Sequence, residues 1–349
     1  MKMTRRSFLK GAAVTSAAVG TIGFPAFLRK AHAAPVVLKF ATYEPPQSYT
    51  VINAMKPWCD LINEQGKDKV QIDFYPGGAL GPDPMQQLKM VVDGIADISV
   101  AALNWAPGRF PEATCMNAPM VANNMLEASW AVFSMWEAGM FSGFDDIYPL
   151  TMNAQPQYYY HTNYPARVPA DLRGRKINAV GRMMAAVLRN SGASPLAEGI
   201  SKIAENVSRG LLEGAAAEWF GLFNFRMVDV LNNHIMVPLG TNVFPIFMNK
   251  RKLDRLPADA RDIILKNSGW VFTEKFSRVW DGNNENLEKQ VRNDPKHTVI
   301  EPNAAELAEW AKVVDPVVGE WLAEDRAKNQ KLLDAYREKT LEGRKKFFG

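Results

Sequence analysis

The stretch Val70-Gln71-Ile72-Asp73-Phe74-Tyr75, followed by Pro76-Gly77-Gly78-Ala79-Leu80-Gly81-Pro82, decides the fold. Its first six residues alternate between apolar and polar side chains, as those of a half-buried strand do. The run of proline and glycine predicts a turn. Pro84 can open a helix, because the first turn of a helix needs no hydrogen bond from that position, and Gly94 fits the helix end. Residues 96–101 predict the next strand, so strands and helices alternate.

The same alternation continues along the chain and predicts an α/β architecture with mostly parallel sheets. Further strands are expected over residues 36–41, 157–161, 176–180, 215–219, 244–248 and 297–301. Further helices are expected over residues 50–65, 183–190, 257–292 and 304–348. At about 1.5 Å per residue, a helix over 257–292 would be roughly 50 Å long, which is more than one small domain needs. We therefore predict that it crosses two domains.

Residues 1–33 follow the pattern of a secretory signal peptide, with basic residues first, an apolar run over 11–28 and Ala31-His32-Ala33 as the cleavage site. The pair Arg5-Arg6 before Phe-Leu-Lys resembles a twin-arginine signal. The alternative is a membrane anchor, but this run is short and rich in small residues, hence marginal for crossing about 30 Å of hydrocarbon. We expect cleavage after Ala33 and a periplasmic protein.

Cleavage also changes the charge of the protein. The whole chain has 41 basic and 37 acidic residues, a net charge of +4. Six of the basic residues and none of the acidic ones lie in residues 1–33, so the mature chain has a net charge of −2. A nucleic-acid partner would need a basic face, which this balance does not favour.

The sequence contains none of the motifs typical of common enzyme classes. It lacks a glycine-rich phosphate loop and a Gly-x-Ser-x-Gly elbow. The histidines of the mature chain, His161, His234 and His297, are far apart in sequence and predict no metal site. Cys59 and Cys115 could form a disulfide in the periplasm or remain buried thiols. We therefore expect no catalytic residues.

Three blocks of sequence together resemble the extracytoplasmic solute-binding proteins of tripartite ATP-independent periplasmic (TRAP) transporters. The resemblance covers essentially the whole mature chain, with the blocks in the expected order and spacing. They are Phe74-Tyr75-Pro76-Gly77-Gly78-Ala79-Leu80-Gly81 with Val92-Asp93-Gly94-Ile95-Ala96-Asp97, Asp171-Leu172-Arg173-Gly174-Arg175-Lys176-Ile177 with Gly192-Ala193-Ser194-Pro195, and Val207-Ser208-Arg209-Gly210-Leu211-Leu212-Glu213-Gly214 leading to Glu218-Trp219.

This resemblance implies a two-lobed fold like that of periplasmic binding proteins, with a long helix spanning both lobes. Residues 34–155 with 244–283 would form lobe 1, and residues 156–243 with 284–349 lobe 2. The lobes would close on a small organic acid, and the loaded protein would dock on the small and large permease subunits. The pair Glu218-Trp219 resembles the subgroup that binds keto- or hydroxy-acids.

One position departs from the pattern of the family. Where most members have an arginine that grips the substrate carboxylate, this chain has Asn178, which offers N–H donors but no charge. Arg182, four residues later, could supply the missing guanidinium. Alternatively, Arg182 is a solvated residue of the following helix.

In the resembling subgroup, glutamine, glutamate and a backbone carbonyl beside the tryptophan hold a metal ion. The corresponding groups here are Gln157, Glu218 and the backbone of Trp219, which could bind Na⁺ or Ca²⁺ and bridge it to the ligand carboxylate. Such an ion would partly replace the missing arginine charge, and no other cofactor is expected. Alternatively, Glu218 pairs with a base, and the Trp219 side chain packs in the core.

The first lobe should contribute the loops that follow its strands, since α/β sheets bind ligands at the carboxyl ends of their strands. These loops contain Tyr43, with Thr42 and Glu44 beside it, and Asn104 with Trp105. Among the tyrosines after Gln157, alternation along a strand favours Tyr159 on the same face. An aromatic lining would suit an apolar or ring-bearing acid.

Other functions remain open on the sequence alone. Twin-arginine export is common for cofactor-binding oxidoreductases, although this chain has no dinucleotide fingerprint. The same fold could bind a solute that is not a carboxylate, or present its solute to a receptor instead of a permease. The sequence also leaves open whether the protein forms a homodimer.

Overall fold

The computed structural model describes residues 34–119, 121–179 and 181–349. The predicted signal peptide therefore lies outside the described residues, as does Val180 at the end of one predicted strand. Residues 34–349 form one compact unit that contains two sheets. Within the described part of the chain, no helix combines the length and the apolar character needed to cross a membrane.

Two mixed sheets organise this unit. The strands of the first sheet, in spatial order, are β2 (Val70–Tyr75), β1 (Val36–Ala41), β3 (Ile98–Val100), β10 (Ile246–Asn249) and β4 (Ile147–Pro149). Those of the second are β11 (Thr298–Ile300), β9 (Asn233–Ile235), β5 (Tyr159–Thr162), β8 (Gly214–Ala217), β6 (Lys176–Asn178) and β7 (Ser194–Leu196).

Helices connect the strands and cover the sheets. Several short 3₁₀ turns and one π-helical turn, Val51–Met55, add to them. The α-helices are α1 (Lys56–Gly66), α2 (Gln87–Val92), α3 (Met125–Glu137), α4 (Arg182–Asn190), α5 (Ile203–Ser208), α6 (Trp219–Asn224), α7 (Lys250–Asp254), α8 (Ala258–Lys266), α9 (Trp270–Asn293), α10 (Ala304–Glu324) and α11 (Arg326–Phe348).

The α/β architecture is confirmed, and each sheet has one strand that runs antiparallel to both its neighbours. In the first sheet this strand is β10, between β3 and β4. In the second it is β5, between β8 and β9. Each is the first strand after the chain has crossed from the other sheet, so it enters without a crossover helix to set a parallel direction.

The long spanning helix is also confirmed, but it is shorter than predicted. The segment 257–292 is divided into α8 and α9, because Gly269 adopts a φ of 66° and its N–H bonds to the carbonyl of Leu150. Helix α9, with 24 residues, is about 36 Å long. It buries Phe276 and Trp280 in the core beside the first sheet and Val291 in the core beside the second.

The C-terminal segment is two helices instead of one, separated at Asp325. Trp310 of α10 stacks on Tyr160 of the second sheet. Helix α11 instead packs along α3. The sequence prediction placed α3 in lobe 1, but it placed residues 284–349, which include α11, in lobe 2. The boundaries of the lobes remain a prediction.

Cys59 and Cys115 are both buried free thiols.

Candidate functional site

A cleft forms where strands of both sheets end. Tyr43 follows β1, and Trp105 lies in a 3₁₀ turn after β3. Asn178 is the last residue of β6, and Glu218 follows the last residue of the adjacent β8. The two sets of strand ends face each other, because Tyr43 lies against Trp105 and Trp105 lines one cavity together with Tyr158 and Asn178.

Glu218 is the most unusual group of the cleft. The sequence predicted a strand over 215–219, but the strand ends at Ala217, because the Glu218 side chain caps α6 by accepting the N–H of Gly221 at 2.9 Å. The residue is 2 % exposed, and its Oε2 atom makes no hydrogen bond of full geometry, although the indole N–H of Trp280 lies near the carboxyl. Burial raises the pKa of this carboxyl to about 8, although the N–H groups of Gly221, Phe220 and Trp280 oppose the shift.

A second buried carboxyl, that of Glu44, lies near Glu218 and raises its pKa further. Glu44 accepts hydrogen bonds from the hydroxyls of Ser48, at 2.9 Å, and Thr50. Burial raises the pKa of Glu44, and these two hydroxyls oppose that shift. Among the described residues, no lysine or arginine pairs with either carboxyl. The predicted alternative, Glu218 paired with a base, is therefore absent from the described part of the chain.

The cleft is rich in aromatic rings. Tyr43 lies against Trp105 and Phe225, with ring centroids 5.8 Å and 6.0 Å away. Trp105 contacts Phe244 edge-on at 6.4 Å. Asn178 lines a cavity of about 30 Å³ together with Trp105, Tyr158, Glu198, Ile200, Ile203 and Ala216. This volume holds only one or two waters, so a ring-sized ligand requires the cleft to open.

Two predicted asparagines lie close to this cavity. The Nδ2 group of Asn178 donates to the carbonyl of Glu198 at 3.2 Å. Asn104 is 9 % exposed, and its amide lies beside Gly181, where an added Cβ would come within 3.1 Å of Asn104 Nδ2. Both amides therefore lie at the junction of the two sheets, a position that the strand ends predicted for Asn104 and the resemblance to the family predicted for Asn178.

Arg182 is not brought into this cleft. It begins α4, and its half-exposed guanidinium pairs with Glu324 of α10. It lines a different cavity, of about 220 Å³, with residues that include Thr114, Trp321 and Lys328. Arg182 is therefore placed as the alternative prediction expected, as a surface residue of the helix, and not as a clamp for the ligand carboxylate.

The tyrosine in the cleft is Tyr158, not Tyr159. Tyr159 packs against Trp219, and the charges of Glu288 and Arg292 act on its hydroxyl. Because alternate residues of a strand face opposite sides, Tyr158 faces the cleft instead, where burial and Glu218 raise its pKa. The Trp219 ring is fully buried in the core beside the second sheet, so only its backbone remains near Glu218.

Gln157 and Glu218 retain oxygen atoms suited to a cation. Gln157 Nε2 donates to the carbonyl of Ala122 at 2.8 Å, and its buried Oε1 atom, like Glu218 Oε2, makes no hydrogen bond of full geometry. Buried oxygen atoms that make no full hydrogen bond fit a hard cation such as Na⁺ or Ca²⁺. The described residues contain no cluster of three or more histidine, cysteine or acidic side chains for a metal, so any ion here would need amide and carbonyl oxygens in addition to the Glu218 carboxylate.

The three histidines, which are far apart in the sequence, form a hydrogen-bonded row. His161 Nδ1 lies 2.8 Å from His234 Nδ1, and His234 Nε2 lies 3.0 Å from His297 Nδ1. They were missed because β5, β9 and the loop before β11 are distant in sequence and meet only in the sheet. Burial lowers the pKa of His161 to about 4 and that of His234 to about 2.

These two pKa values predict a loss of stability in acid. The unfolded chain binds protons at these histidines below about pH 6.5, whereas the folded chain resists them until far lower pH. Their contribution to the free energy of unfolding is therefore complete above pH 6.5 and is lost as the pH falls toward 4. Urea unfolding between pH 7.5 and 4.5 measures it. A His161→Gln variant should have a shallower pH dependence, and an equal dependence would contradict this assignment.

The chain matches a known protein family over most of its length. A model of the family described as bacterial extracellular solute-binding protein, family 7, matches residues 40–325. A model of the twin-arginine translocation pathway signal sequence matches residues 2–21, which confirms the predicted export signal. A solute-binding protein of Albidiferax ferrireducens is 23 % identical over 209 residues, which are 58 % of this chain and 62 % of that relative. The match thus spans less than two thirds of that relative.

Solved structures have the same fold over nearly their full length. A TRAP solute-binding protein from Rhodoferax ferrireducens, in complex with copurified benzoate, is 26 % identical with a TM-score of 0.81 and covers 89 % of this chain and 99 % of its own. A marine metagenome TRAP solute-binding protein specific for aromatic acids, in complex with 3-hydroxybenzoate, is 22 % identical with a TM-score of 0.81. It covers 88 % of this chain and 99 % of its own.

Proposed function

The chain belongs to family 7 of the bacterial extracellular solute-binding proteins, and from this premise we propose that it captures a small ring-bearing organic acid in the periplasm. It then delivers this acid to the small and large membrane subunits of a TRAP permease. The keto- and hydroxy-acids expected from the sequence remain within this class when they carry an apolar or aromatic body. Benzoate and 3-hydroxybenzoate, bound by two structural relatives, are the first candidates.

One observation carries this proposal: the cleft combines aromatic walls with buried polar groups at the strand ends. Tyr43, Trp105 and Tyr158 offer ring faces and edges, against which an aromatic ligand packs at 4.5–7 Å between centroids. Asn178 and Glu218 lie at the neighbouring ends of β6 and β8 and could fix the polar end of the ligand. Sites of this kind are mostly apolar, with a few placed polar groups that decide orientation.

The carboxylate of the ligand needs a positive partner, which the described side chains of the cleft do not supply. A Na⁺ or Ca²⁺ ion would supply that charge to both Glu218 and the ligand. Gln157 Oε1, Glu218 and the backbone carbonyl of Trp219 are the groups that would hold it. The support for this ion is that two buried oxygen atoms, Gln157 Oε1 and Glu218 Oε2, make no hydrogen bond of full geometry.

A thermal-shift screen of the mature protein, from Ala34 onward, tests the proposal. The screen compares benzoate, 3-hydroxybenzoate, aliphatic keto- and hydroxy-acids and uncharged solutes, each with Ca²⁺, with Na⁺ and with a chelator. A ligand at a hundred times its dissociation constant stabilises the protein by about 2.7 kcal/mol, which is easily detected. We expect shifts for ring-bearing acids. Shifts confined to uncharged solutes would contradict the ligand class, and shifts unaffected by the chelator or by the choice of cation would contradict the ion.

Arg182 offers a separate test of how the carboxylate is recognised. Because its guanidinium pairs with Glu324 outside the cleft, we expect Arg182→Ala to change the affinity for the acid by less than about twofold, or 0.4 kcal/mol. Isothermal titration calorimetry with the best acid of the screen measures this. A tenfold loss would mean that Arg182 leaves Glu324 to grip the ligand. Arg189→Ala, at the exposed end of the same helix, is the matched control.

A further inference from the structure

The histidine row crosses the second sheet from Ala217, at the end of β8, to the loop before the edge strand β11. His161 and His234 are direct cross-strand partners on β5 and β9. At one end of the row, His161 Nε2 lies 3.1 Å from the carbonyl oxygen of Ala217, the last residue before Glu218. At the other end, His297 lines a surface cavity of about 710 Å³.

The chemistry of these contacts fixes the direction of every hydrogen bond in the row. A carbonyl oxygen only accepts, so His161 Nε2 carries a proton and donates to Ala217. In a neutral imidazole the other nitrogen is then an acceptor, so His161 Nδ1 accepts from His234 Nδ1. By the same rule, His234 Nε2 accepts from His297 Nδ1. The row therefore runs in one direction, from His297 to Ala217.

We propose that His161 is a positioning residue of the cleft, which holds the carbonyl of Ala217 and with it the turn that carries Glu218, and that His234 and His297 keep His161 in the required tautomer. This inference rests on the proposed function, because it assigns to the Glu218 turn a part in ligand binding. Glu218 is already held from its other side, where it caps α6 through Gly221. The two restraints together fix the direction in which its carboxyl points.

Packing alone does not account for the row. The ring of Trp219 covers His161 and His234, with centroids at 5.2 Å and 5.0 Å. Two apolar side chains could fill the same space beneath Trp219. They would, however, leave the Ala217 carbonyl without this donor, and a buried polar group without a partner is costly.

Nuclear magnetic resonance of ¹⁵N-histidine-labelled protein tests the row without any ligand. We expect His161 in the Nε2–H form, and His234 and His297 in the Nδ1–H form. Scalar coupling between nitrogens across both histidine–histidine hydrogen bonds should be visible. An Nδ1–H form of His161 would overturn the proposal, since that nitrogen could not then accept from His234.

Two substitutions of His161 then connect the row to ligand binding. In His161→Gln, the amide can donate to Ala217 and accept from His234, so we expect affinity for benzoate, or for the best acid of the screen, within about twofold of the unaltered protein. His161→Leu lacks both groups, and we expect a loss of about fivefold, the effect of one hydrogen bond. Leu231→Ala, in the same core, is the control for lowered stability alone.

The outcomes separate this inference from the proposed function. Equal affinities for His161→Leu and His161→Gln, or an equal loss in Leu231→Ala at matched stability, would overturn the positioning role. If the unaltered protein binds no acid, the proposed function fails, while the resonance experiment still decides the direction of the row.

Discussion

Replacing Glu218 by alanine is expected to weaken binding of the acid at least tenfold, about 1.4 kcal/mol, and to abolish any dependence of binding on calcium. Glu218 is a buried carboxyl at the strand ends that form the cleft, and the proposed cation would lie between it and the ligand. Without that carboxyl, only amide and carbonyl oxygens remain to hold the ion. Calorimetry with and without a chelator measures both effects.

The same residue predicts how affinity changes with pH. Because burial raises the pKa of Glu218 to about 8, its carboxyl is mostly protonated at neutral pH in the empty protein. A cation must displace this proton, so calcium-dependent affinity should rise as the pH increases from 6, by at most about tenfold per unit, and level off above pH 8. The contribution of Glu218 to the stability of the empty protein should change in the opposite sense, and against that of His161 and His234, because the raised pKa stabilises the fold at low pH and this contribution is lost as the pH rises through 8.

Glu218→Gln is the matched control, because its amide is nearly isosteric with the protonated carboxyl. The variant should fold as the unaltered protein does, and it should lose both the calcium response and the rise of affinity with pH. A variant that binds the acid as tightly as the unaltered protein, at every pH, would contradict the cation. In that case the proton on Glu218, and not a cation, would prevent repulsion between the Glu218 carboxyl and the carboxylate of the ligand.

The sequence predicted the strand ends that form the cleft, because strands and turns leave local signals. The alternation in Val70–Tyr75 and the glycines after it identify β2 and its turn without reference to any distant residue. Asn178 was instead inferred from the resemblance to the family, and the structure places it at the end of β6. Ligand positions at strand ends are therefore accessible to local reasoning, since the topology of α/β sheets brings those ends together.

Side-chain direction and long-range pairing were not accessible in this way. Choosing between Tyr158 and Tyr159 depends on the register of β5 against β8, and a shift of one residue exchanges the two faces. Arg182 follows Asn178 closely, but Glu324, more than a hundred residues away, determines where its guanidinium points. The break at Gly269 did have a local signal, because Asn-Ser-Gly is typical of a helix end.

Arg344→Ala is expected to lower the free energy of unfolding by about 3 kcal/mol, because it leaves a buried carboxylate without its partner. Arg344 of α11 donates two hydrogen bonds of 2.9 Å to Glu127 of α3, and the Glu127 side chain is fully buried. The two helices approach closely at Gly343, where an added Cβ would lie 3.0 Å from the ring of Trp130. Urea unfolding monitored by circular dichroism measures the loss.

The control is Arg337→Ala, on the exposed face of the same helix, which should cost less than about 0.5 kcal/mol. Equal losses in the two variants would mean that the ion pair is not what fixes α11.

Since α10 packs on the second sheet and α11 on α3, this tail joins the two parts of the molecule as α9 does. The Arg344→Ala protein should nevertheless bind the acid within about twofold of the unaltered affinity below its melting temperature, because Arg344 and Glu127 do not contribute to the cleft. A large loss of affinity in the fully folded variant would instead mean that α10 and α11 take part in closing the cleft.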